Sequence, residues 1–288
     1  MASKTPTNKK LQPGEIIIAF GHKSGIGKTT VTRCCADLCE VTGHPWRGIS
    51  VDRSERLPLR YPGKIVQVNL PTDAEGRLDP YAQTRAFGPI DGEIEKITQN
   101  GSTLLLDVGS GEYPHAVLDH AARSRLNSLL VRRGIRFTAL IVTTTDSMVM
   151  SDVPRLVEAV QTALPSARIV VVLNERNGPF QFSDGSEAHK VWKGALEPVL
   201  QRCPSVTIPA MAPGCWDRFE DQGLRFSEVG LLDPEASEEA ERQLIAWTRE
   251  SRSLAIARHG DVAEWLHDAW TALSPIIAVQ SGGEDNDA

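Results

Sequence analysis

The sequence predicts a three-layer α/β/α fold with a mostly parallel sheet, and three observations support this prediction. Short apolar runs alternate along the chain with segments of helical periodicity. The runs are continuous rather than interleaved with polar residues, which is typical of strands buried on both faces. A glycine-rich loop, from Gly21 to Thr30, joins the first apolar run to the first helical segment. Strands that alternate with helices in this way favour a sheet covered by helices on both sides.

Each predicted strand is an apolar run bounded by glycine, proline or polar residues. The first of them, Glu15–Phe20, lies between Gly14 and Gly21. We expect the strands, in chain order, at 15–20, 47–52, 64–70, 103–108, 136–143, 167–174 and 206–209. The main helices are expected at 28–41, 90–99, 115–132, 152–164 and 188–201.

Length and composition fit one large domain or two small ones, and the element order favours one. The chain has 288 residues, of which 41% are hydrophobic, so a substantial core can form. We expect a single domain over 13–275 that includes C-terminal helices, a flexible N-terminus over 1–12 and an acidic disordered tail over 276–288. The N-terminus lacks the apolar region of a secretory signal, and no apolar run approaches the roughly 18 residues that span a bilayer.

Cysteine usage and net charge restrict the compartment and the partners. The five cysteines form no metal or disulfide framework, and three of them fall in one predicted helix. This distribution suits packing in a reducing cytoplasm, so we expect a cytoplasmic protein. The formal net charge of −6 gives no global basic footprint for nucleic acid, which leaves only a local basic patch for such binding.

The glycine-rich loop predicts a phosphate-binding site. It follows a strand and opens a helix, which is the context that a P-loop needs. Glycines let the backbone curl so that its N–H groups point at phosphate oxygens, and the helix N-terminus adds partial positive charge. Lys28 would reach the outer phosphates, and the Thr29 hydroxyl would ligate Mg²⁺. The predicted nucleotide-binding residues of the loop are Gly25, Ile26, Gly27, Lys28, Thr29 and Thr30.

The run Lys23-Ser24-Gly25-Ile26-Gly27-Lys28-Thr29-Thr30 resembles the deviant phosphate loop of the ParA/MinD-type ATPases (SIMIBI class), whose pattern is K-G-G-x-G-K-T-T. Lys23 occupies the position of the family's signature lysine, and Ser24 replaces the first glycine of the pair. The resemblance implies a P-loop NTPase fold that binds ATP and Mg²⁺. It also implies a homodimer on ATP binding, in which Lys23 reaches the nucleotide of the partner and contributes to catalysis together with Lys28.

Two aspartates resemble the acidic positions of the same family. Asp52 follows Lys28 by 24 residues and ends a predicted strand, where the resemblance implies that it orients the attacking water and holds Mg²⁺. Asp107 ends another strand, where it would bind Mg²⁺ through water, and the N–H of Gly111 would meet the terminal phosphate. The sequence departs from the family at three further places: it has Ser50 for an aspartate, Gly109 for a proline and Arg53-Ser54-Glu55-Arg56 for Pro-Gln. Ordinary solvated or strand-end acids remain the alternative for both aspartates.

Two later residues resemble the family's base-recognition positions. Asn174 ends the 167–174 strand, and an amide that donates and accepts suits a purine edge. Pro209, followed by Gly223, resembles the segment where a proline contacts the base. A capping asparagine and a turn proline are the alternative.

The remaining surface features each have two interpretations. Arginines that lie close together in the sequence would let the protein bind DNA non-specifically as ParA relatives do, or they form a solvated helix face with salt bridges: Arg123, Arg125, Arg132, Arg133 and Arg136. The helical spacing of Val262, Trp265, Ala269 and Leu273 predicts a helix docked on the core rather than on a membrane, because acidic residues occupy its other face. A surface for a partner protein would suit the charged residues beside Trp216 and Phe219, which are Asp217, Arg218, Glu220 and Asp221.

Together these patterns predict an ATP-dependent switch ATPase of the ParA/MinD type, which dimerises on ATP and hydrolyses it slowly to position cargo. The resemblance favours plasmid or chromosomal DNA as cargo and implies an activating partner protein. A nucleotide-binding interaction module with little or no hydrolysis is the main alternative, and a P-loop enzyme acting on a small molecule is a third. An iron–sulfur relative is disfavoured because 107–121 contains no cysteine.

Overall fold

The computed structural model describes residues 13–54, 56–71 and 81–277. The predicted flexible segment over 1–12 lies outside these residues, as does most of the predicted acidic tail, 278–288. The seven strands are β1 (Glu15–Phe20), β2 (Trp46–Val51), β3 (Ile65–Gln67), β4 (Thr103–Val108), β5 (Arg136–Thr143), β6 (Arg168–Asn174) and β7 (Ser205–Ile208).

Helices connect these strands. In chain order they are α1 (Lys28–Val41), α2 (Arg56–Arg60), α3 (Ala82–Ala86), α4 (Gly88–Asn100), α5 (Tyr113–Arg123), α6 (Leu126–Arg133), α7 (Ser147–Ala163), α8 (Glu187–Val191), α9 (Glu197–Leu200), α10 (Asp217–Asp221), α11 (Phe226–Gly230), α12 (Glu238–Thr248) and α13 (Arg252–Leu273). A 3₁₀ turn, Glu175–Asn177, follows β6, and a π-helical turn, Trp192–Leu196, joins α8 to α9.

The sheet is parallel in all six strand pairings, in the order β3-β2-β4-β1-β5-β6-β7. Strand β1 illustrates why a strand buried on both faces of the sheet is a continuous apolar run. Ile16, Ile18 and Phe20 pack into one buried cluster, while Ile17 and Ala19 pack into another on the opposite face. Helices α4, α5 and α7 supply the first cluster, and α1 and α13 supply the second. The predicted three-layer α/β/α P-loop NTPase fold with a parallel sheet is thereby confirmed.

The C-terminal helix α13 docks on the core through two tryptophans, as the sequence predicted. The Trp270 Nε1–H donates to the carbonyl oxygen of Cys34 in α1 at 3.1 Å, and the Trp265 Nε1–H donates to that of Pro209 at 2.9 Å. Ile276 and Ile277 beyond this helix are also buried, so the packed core continues two residues past the predicted boundary at 275. None of the helices in the described ranges has the length and apolar character that crossing a bilayer requires.

Three of the predicted helices differ from the observed ones for local reasons. The helix expected at 188–201 is divided into α8 and α9 by the π-helical turn Trp192–Leu196. The helix expected at 115–132 is in fact two helices, α5 and α6, because Arg125 adopts a left-handed backbone with φ of 54° that interrupts the hydrogen-bond ladder. Helix α7 begins five residues earlier than predicted, since the Asp146 carboxylate caps it by accepting from the N–H groups of Met148 and Val149.

Candidate functional site

A cavity of about 870 Å³ contains the phosphate loop and both predicted acids, and loops that follow the sheet's carboxyl edge border it. Open α/β sheets bind ligands at this edge. Its lining has two parts, a loop wall and an aromatic wall. The loop wall comprises Ser24, Gly25, Gly27, Lys28, Thr29, Thr30, Asp52, Asp107, Gly109 and Ser110. The aromatic wall comprises Arg33, Arg60, Met211, Trp216, Glu220, Phe226 and Trp265.

The loop itself depends on two glycines. Gly25 and Gly27 have φ of 75° and 98°, in the left-handed region that side chains with a Cβ rarely adopt. Gly27 is constrained further, because a Cβ there would come within 2.0 Å of the Asn174 Nδ2. Helix α1 begins at the next residue, Lys28, so the loop delivers the chain directly into a helix N-terminus.

Side chains at the end of β6 and just beyond it hold two consecutive carbonyls of the loop. The Asn174 Nδ2–H donates to the carbonyl oxygen of Ile26 at 2.8 Å, and the Arg176 guanidinium donates to that of Gly25. In each peptide the N–H points opposite to the C=O, so the N–H groups of Ile26 and Gly27 point away from these side chains. Asn174 and Arg176 thus form a brace that fixes two peptide planes of the loop.

Lys28 is buried within the curl of the loop. Its Nζ donates to the carbonyl oxygen of Lys23 at 3.0 Å, and the residue is 7% exposed. Burial lowers the pKa of this ammonium, while the negative charges of Asp107 and Asp52 act to raise it. The Lys28 ammonium therefore lies near two carboxylates and at the N-terminus of α1.

Asp107 is positioned by hydroxyl groups of α1. Its carboxylate accepts from the Thr29 hydroxyl at 2.8 Å and from the Thr32 hydroxyl at 3.3 Å, and the residue is 3% exposed. Burial raises the pKa of Asp107 to about 6, although these hydroxyls and Lys28 act to lower it. Among the described residues no group of three or more His, Cys, Asp or Glu is arranged to hold a metal. Thr29 and Asp107 nevertheless fit Mg²⁺, which uses one or two protein oxygens beside phosphate and water.

Asp52 faces the same part of the cavity from the end of β2. Its Oδ1 accepts from the N–H of Arg53 at 2.6 Å, and its carbonyl oxygen accepts from the Gln67 side chain. A Cβ on Gly109 would lie 3.1 Å from the Asp52 Cγ and 2.8 Å from the Tyr113 ring. The glycine that replaces the family proline therefore has a steric reason, because the chain after β4 passes close to Asp52.

Lys23, Ile26 and Gly111 are the predicted site residues that do not line the cavity. The Lys23 Nζ pairs with the Asp146 carboxylate at 2.6 Å, and its side chain is 48% exposed. The N–H of Gly111 donates to the carbonyl oxygen of His22 at 2.8 Å. Ile26 packs its side chain into the core beside Gly21. Their predicted roles toward a nucleotide stay predictions.

Asn174 and Pro209 both line the cavity, where base recognition was predicted. The Asn174 amide also caps the 3₁₀ turn, because its Oδ1 accepts from the N–H of Arg176 at 3.3 Å. In this structure the amide therefore contacts backbone groups, and base recognition by Asn174 stays a prediction.

The aromatic wall was not predicted as part of the site. The sequence suggested only a surface for a partner protein at Trp216 and its charged neighbours, and that role stays a prediction. In the structure Trp216, Asp217 and Glu220 line the cavity. Two arginines bind the Glu220 carboxylate, and one of them, Arg33, is 187 residues away in sequence. Mixed charge beside an aromatic residue was the available signal, and it does not reveal such a distant partner.

Comparisons with known proteins found similar folds. No protein-family model and no curated protein matches the sequence. Among solved structures, the chain is similar to the MinD cell division protein of Aquifex aeolicus, with 17% identity, a TM-score of 0.45 and coverage of 88% of this chain and 96% of that one. It is also similar to apo McdA of Cyanothece, with 12% identity, a TM-score of 0.49 and coverage of 90% and 99%.

A third similar structure is septum site-determining protein MinD from Pyrococcus horikoshii, complexed with Mg-ADP. It has 15% identity, a TM-score of 0.42 and coverage of 87% of this chain and 95% of that one. Proteins of the type predicted from the motifs are thus among the similar structures. At such identities the likeness concerns the fold alone.

Proposed function

We propose that this protein is an ATP-dependent switch of the ParA/MinD type that binds ATP with Mg²⁺ and hydrolyses it slowly. The observation that supports this most is the convergence of four side chains from three separate segments on one cavity: Lys28, Thr29, Asp52 and Asp107. A loop that is braced from β6 and opens a helix adds backbone N–H groups to this set.

Each residue has a role that its position suits. Lys28 and the N-terminus of α1 bind the negative charge of the outer phosphates. Thr29 and Asp107 hold Mg²⁺, which neutralises charge on the phosphates when it is bound. Asp52, half-buried at the cavity, orients the water that attacks the terminal phosphate. Catalysis of this kind consists mostly of positioning and electrostatic stabilisation, and both would come from the loop wall.

Dimerisation on ATP is part of the same proposal. Lys23 would cross the interface to the nucleotide of the partner subunit, as the family resemblance implies. Within one protomer Lys23 is bound to Asp146, so this ion pair must open before Lys23 can reach across. The pair is exposed and therefore worth only about 0–1 kcal/mol, which nucleotide binding can readily offset.

We also propose that the cargo is plasmid or chromosomal DNA. Arginines at the start of β5 and in the helices before it are exposed on the described surface: Arg123, Arg125, Arg132, Arg133 and Arg136. They lie near the amino end of a strand, whereas the phosphate loop follows the carboxyl end of β1. A basic surface away from the nucleotide suits non-specific binding of DNA, with an activating partner protein as a further element.

A nucleotide-binding module without turnover is the second candidate. The observation that favours it is the engagement of Asp52, whose carboxylate accepts from the Arg53 N–H and whose carbonyl is held by Gln67. A water-orienting acid that stays bound to its own loop would catalyse poorly.

Sedimentation of the purified protein tests the proposed dimer. We expect a monomer with ADP and a dimer with a non-hydrolysable ATP analogue and Mg²⁺. Lys23→Ala should reduce the dimer while leaving nucleotide binding to the monomer within about twofold. A wild-type chain that binds the analogue and stays monomeric at every concentration would contradict the dimerising switch.

A further inference from the structure

In the aromatic wall, hydrogen bonds and ion pairs fix the orientation of Trp216. The Trp216 Nε1–H donates to the Glu220 carboxylate at 2.6 Å. That carboxylate is itself held by two guanidinium groups, those of Arg33 and Arg60, each at 3.0 Å. The polar edge of the indole is therefore satisfied by the protein, and the ring is fixed in orientation.

Arg33 supports the same wall from behind. It is 7% exposed, and its guanidinium lies 4.1 Å from the centroid of the Phe226 ring and 5.5 Å from that of Trp216. It also donates to the carbonyl oxygen of Leu224 at 3.1 Å, while its buried Nε has no partner in the described structure. Because the buried guanidinium of Arg33 contacts both rings, moving either ring would remove a favourable cation–π contact, and this fixes the wall.

The wall is continuous with the segment that carries Pro209. Phe226 packs against Trp216 at a centroid distance of 4.6 Å and against Trp265 at 5.0 Å. Trp265 in turn holds the Pro209 carbonyl, and all four residues line the same cavity as Lys28. Along α1, Arg33 follows Lys28 by five residues, a rise of about 7.5 Å. The loop wall and the aromatic wall can thus contact one ligand.

We infer that Trp216 packs against the base of the bound nucleotide and supplies much of the affinity for its nucleoside part. This inference rests on the proposed function, because it assumes phosphates on the loop wall. A fixed indole whose donor is already satisfied offers apolar ring surface rather than hydrogen bonds. Every base has such a surface, so this contact favours nucleoside triphosphates over inorganic triphosphate and discriminates little among bases.

Calorimetric titration with two ligands distinguishes the contributions of the two walls to binding affinity. ATP with Mg²⁺ probes both walls, whereas inorganic triphosphate with Mg²⁺ probes only the loop wall. Trp216→Leu should weaken ATP binding by about tenfold, since stacking of a base on an aromatic residue is worth about 1–3 kcal/mol. Binding of triphosphate should change less than twofold. Trp216→Phe should retain most of the ATP affinity, because a ring remains.

Trp192→Leu is the matched control. Trp192 is also partly buried, but it packs with Phe180 and Phe182 and does not line the cavity, so both affinities should stay at the wild-type value. Tryptophan fluorescence gives a second readout that needs no leucine variant. ATP should quench wild-type fluorescence more than triphosphate does, and Trp216→Phe should lose most of that difference.

The outcomes distinguish this inference from the function on which it rests. An unchanged ATP affinity in Trp216→Leu would overturn the inference, as would equal losses for ATP and triphosphate, which indicate a structural role only. Wild-type protein that binds neither ligand would overturn the proposed function, and this inference with it. Selective loss of ATP affinity, with triphosphate binding retained, is the expected result.

Discussion

The two walls of the cavity are built in opposite ways. The loop wall takes most of its residues from one stretch of chain, Ser24 to Thr30, and adds acids from the ends of two neighbouring strands. The aromatic wall draws on α1, α2, α10, α11 and α13, and its central contact joins Arg33 to Glu220. A motif can therefore encode the first wall, whereas only the completed fold brings the second together.

Among substitutions that test this difference between the walls, the largest loss of ligand affinity is expected at Gly27. In Gly27→Ala the new methyl would collide with the Asn174 amide, and the left-handed φ adds strain of about 1–3 kcal/mol. We expect binding of ATP and of inorganic triphosphate to fall by about 100-fold in calorimetric titration. Gly25→Ala is the control, because it has a similar φ but open space around it, and its loss should be markedly smaller.

The brace on the loop gives the next largest effect. Asn174→Leu removes the donor to the Ile26 carbonyl, and an unsatisfied buried acceptor costs about 1–3 kcal/mol. If Asn174 acts as a brace, the affinities for ATP and triphosphate should fall together, by about tenfold. A loss confined to ATP would instead show that the amide contacts the base, as the sequence predicted.

A smaller effect is expected in the aromatic wall. Glu220→Gln leaves the buried Arg33 without its anion and should lower the free energy of unfolding by about 1–2 kcal/mol near pH 7. The figure is below that for a fully buried pair because the Glu220 side chain is 33% exposed. Urea denaturation measures it, and Glu228→Gln, at an exposed ion pair, should change stability far less.

The same variant has a defined pH dependence. Burial acts to raise the pKa of Glu220, but the charge of Arg33 and hydrogen bonds from Trp216, Arg33 and Arg60 outweigh it, and the pKa is about 2 instead of 4.5. A lowered pKa means that the stabilisation is present above about pH 4.5 and is lost as the pH falls toward 2. The stability difference between wild type and Glu220→Gln should therefore shrink over this interval. A constant difference would contradict the ion-pair explanation.

The smallest effect lies outside both walls, at Asp146. Asp146→Asn retains a good helix cap for α7 but removes the charge that binds Lys23, so stability should change by less than about 1 kcal/mol. With Lys23 released, the ATP-dependent dimer should form at severalfold lower protein concentration in sedimentation experiments. A variant that dimerises no better than wild type would show that the pair does not restrain Lys23.

Sequence alone predicted the elements whose signals are local. Strands β1, β4 and β5 have the predicted bounds, because each is a continuous apolar run between glycine or polar residues. The break at Arg125 was not predictable, since arginine carries no signal for a left-handed backbone. The short helices α10 and α11 were also not predicted, because each has only five residues, too few for a clear period. The longer α12 was not predicted either.

The same distinction holds for the candidate site. The sequence located Lys28, Thr29, Asp52 and Asp107, and the structure brings all four to the cavity. It did not reveal Arg176, whose contact with the Gly25 carbonyl depends on how β6 lies beside β5 in the sheet. It interpreted Trp216 as a partner surface, because nothing near that residue in the chain indicates its contact with Arg33 of α1.

The most direct test of the proposed switch is ATP hydrolysis by the purified protein with and without double-stranded DNA, measured for wild type beside Lys28→Ala and Asp52→Ala. We expect slow wild-type turnover that DNA stimulates and that both substitutions reduce by about 100-fold or more, since each removes a group that acts on the reacting phosphate. Wild-type protein that binds ATP but releases no phosphate under any condition would contradict the hydrolytic switch and favour the module without turnover.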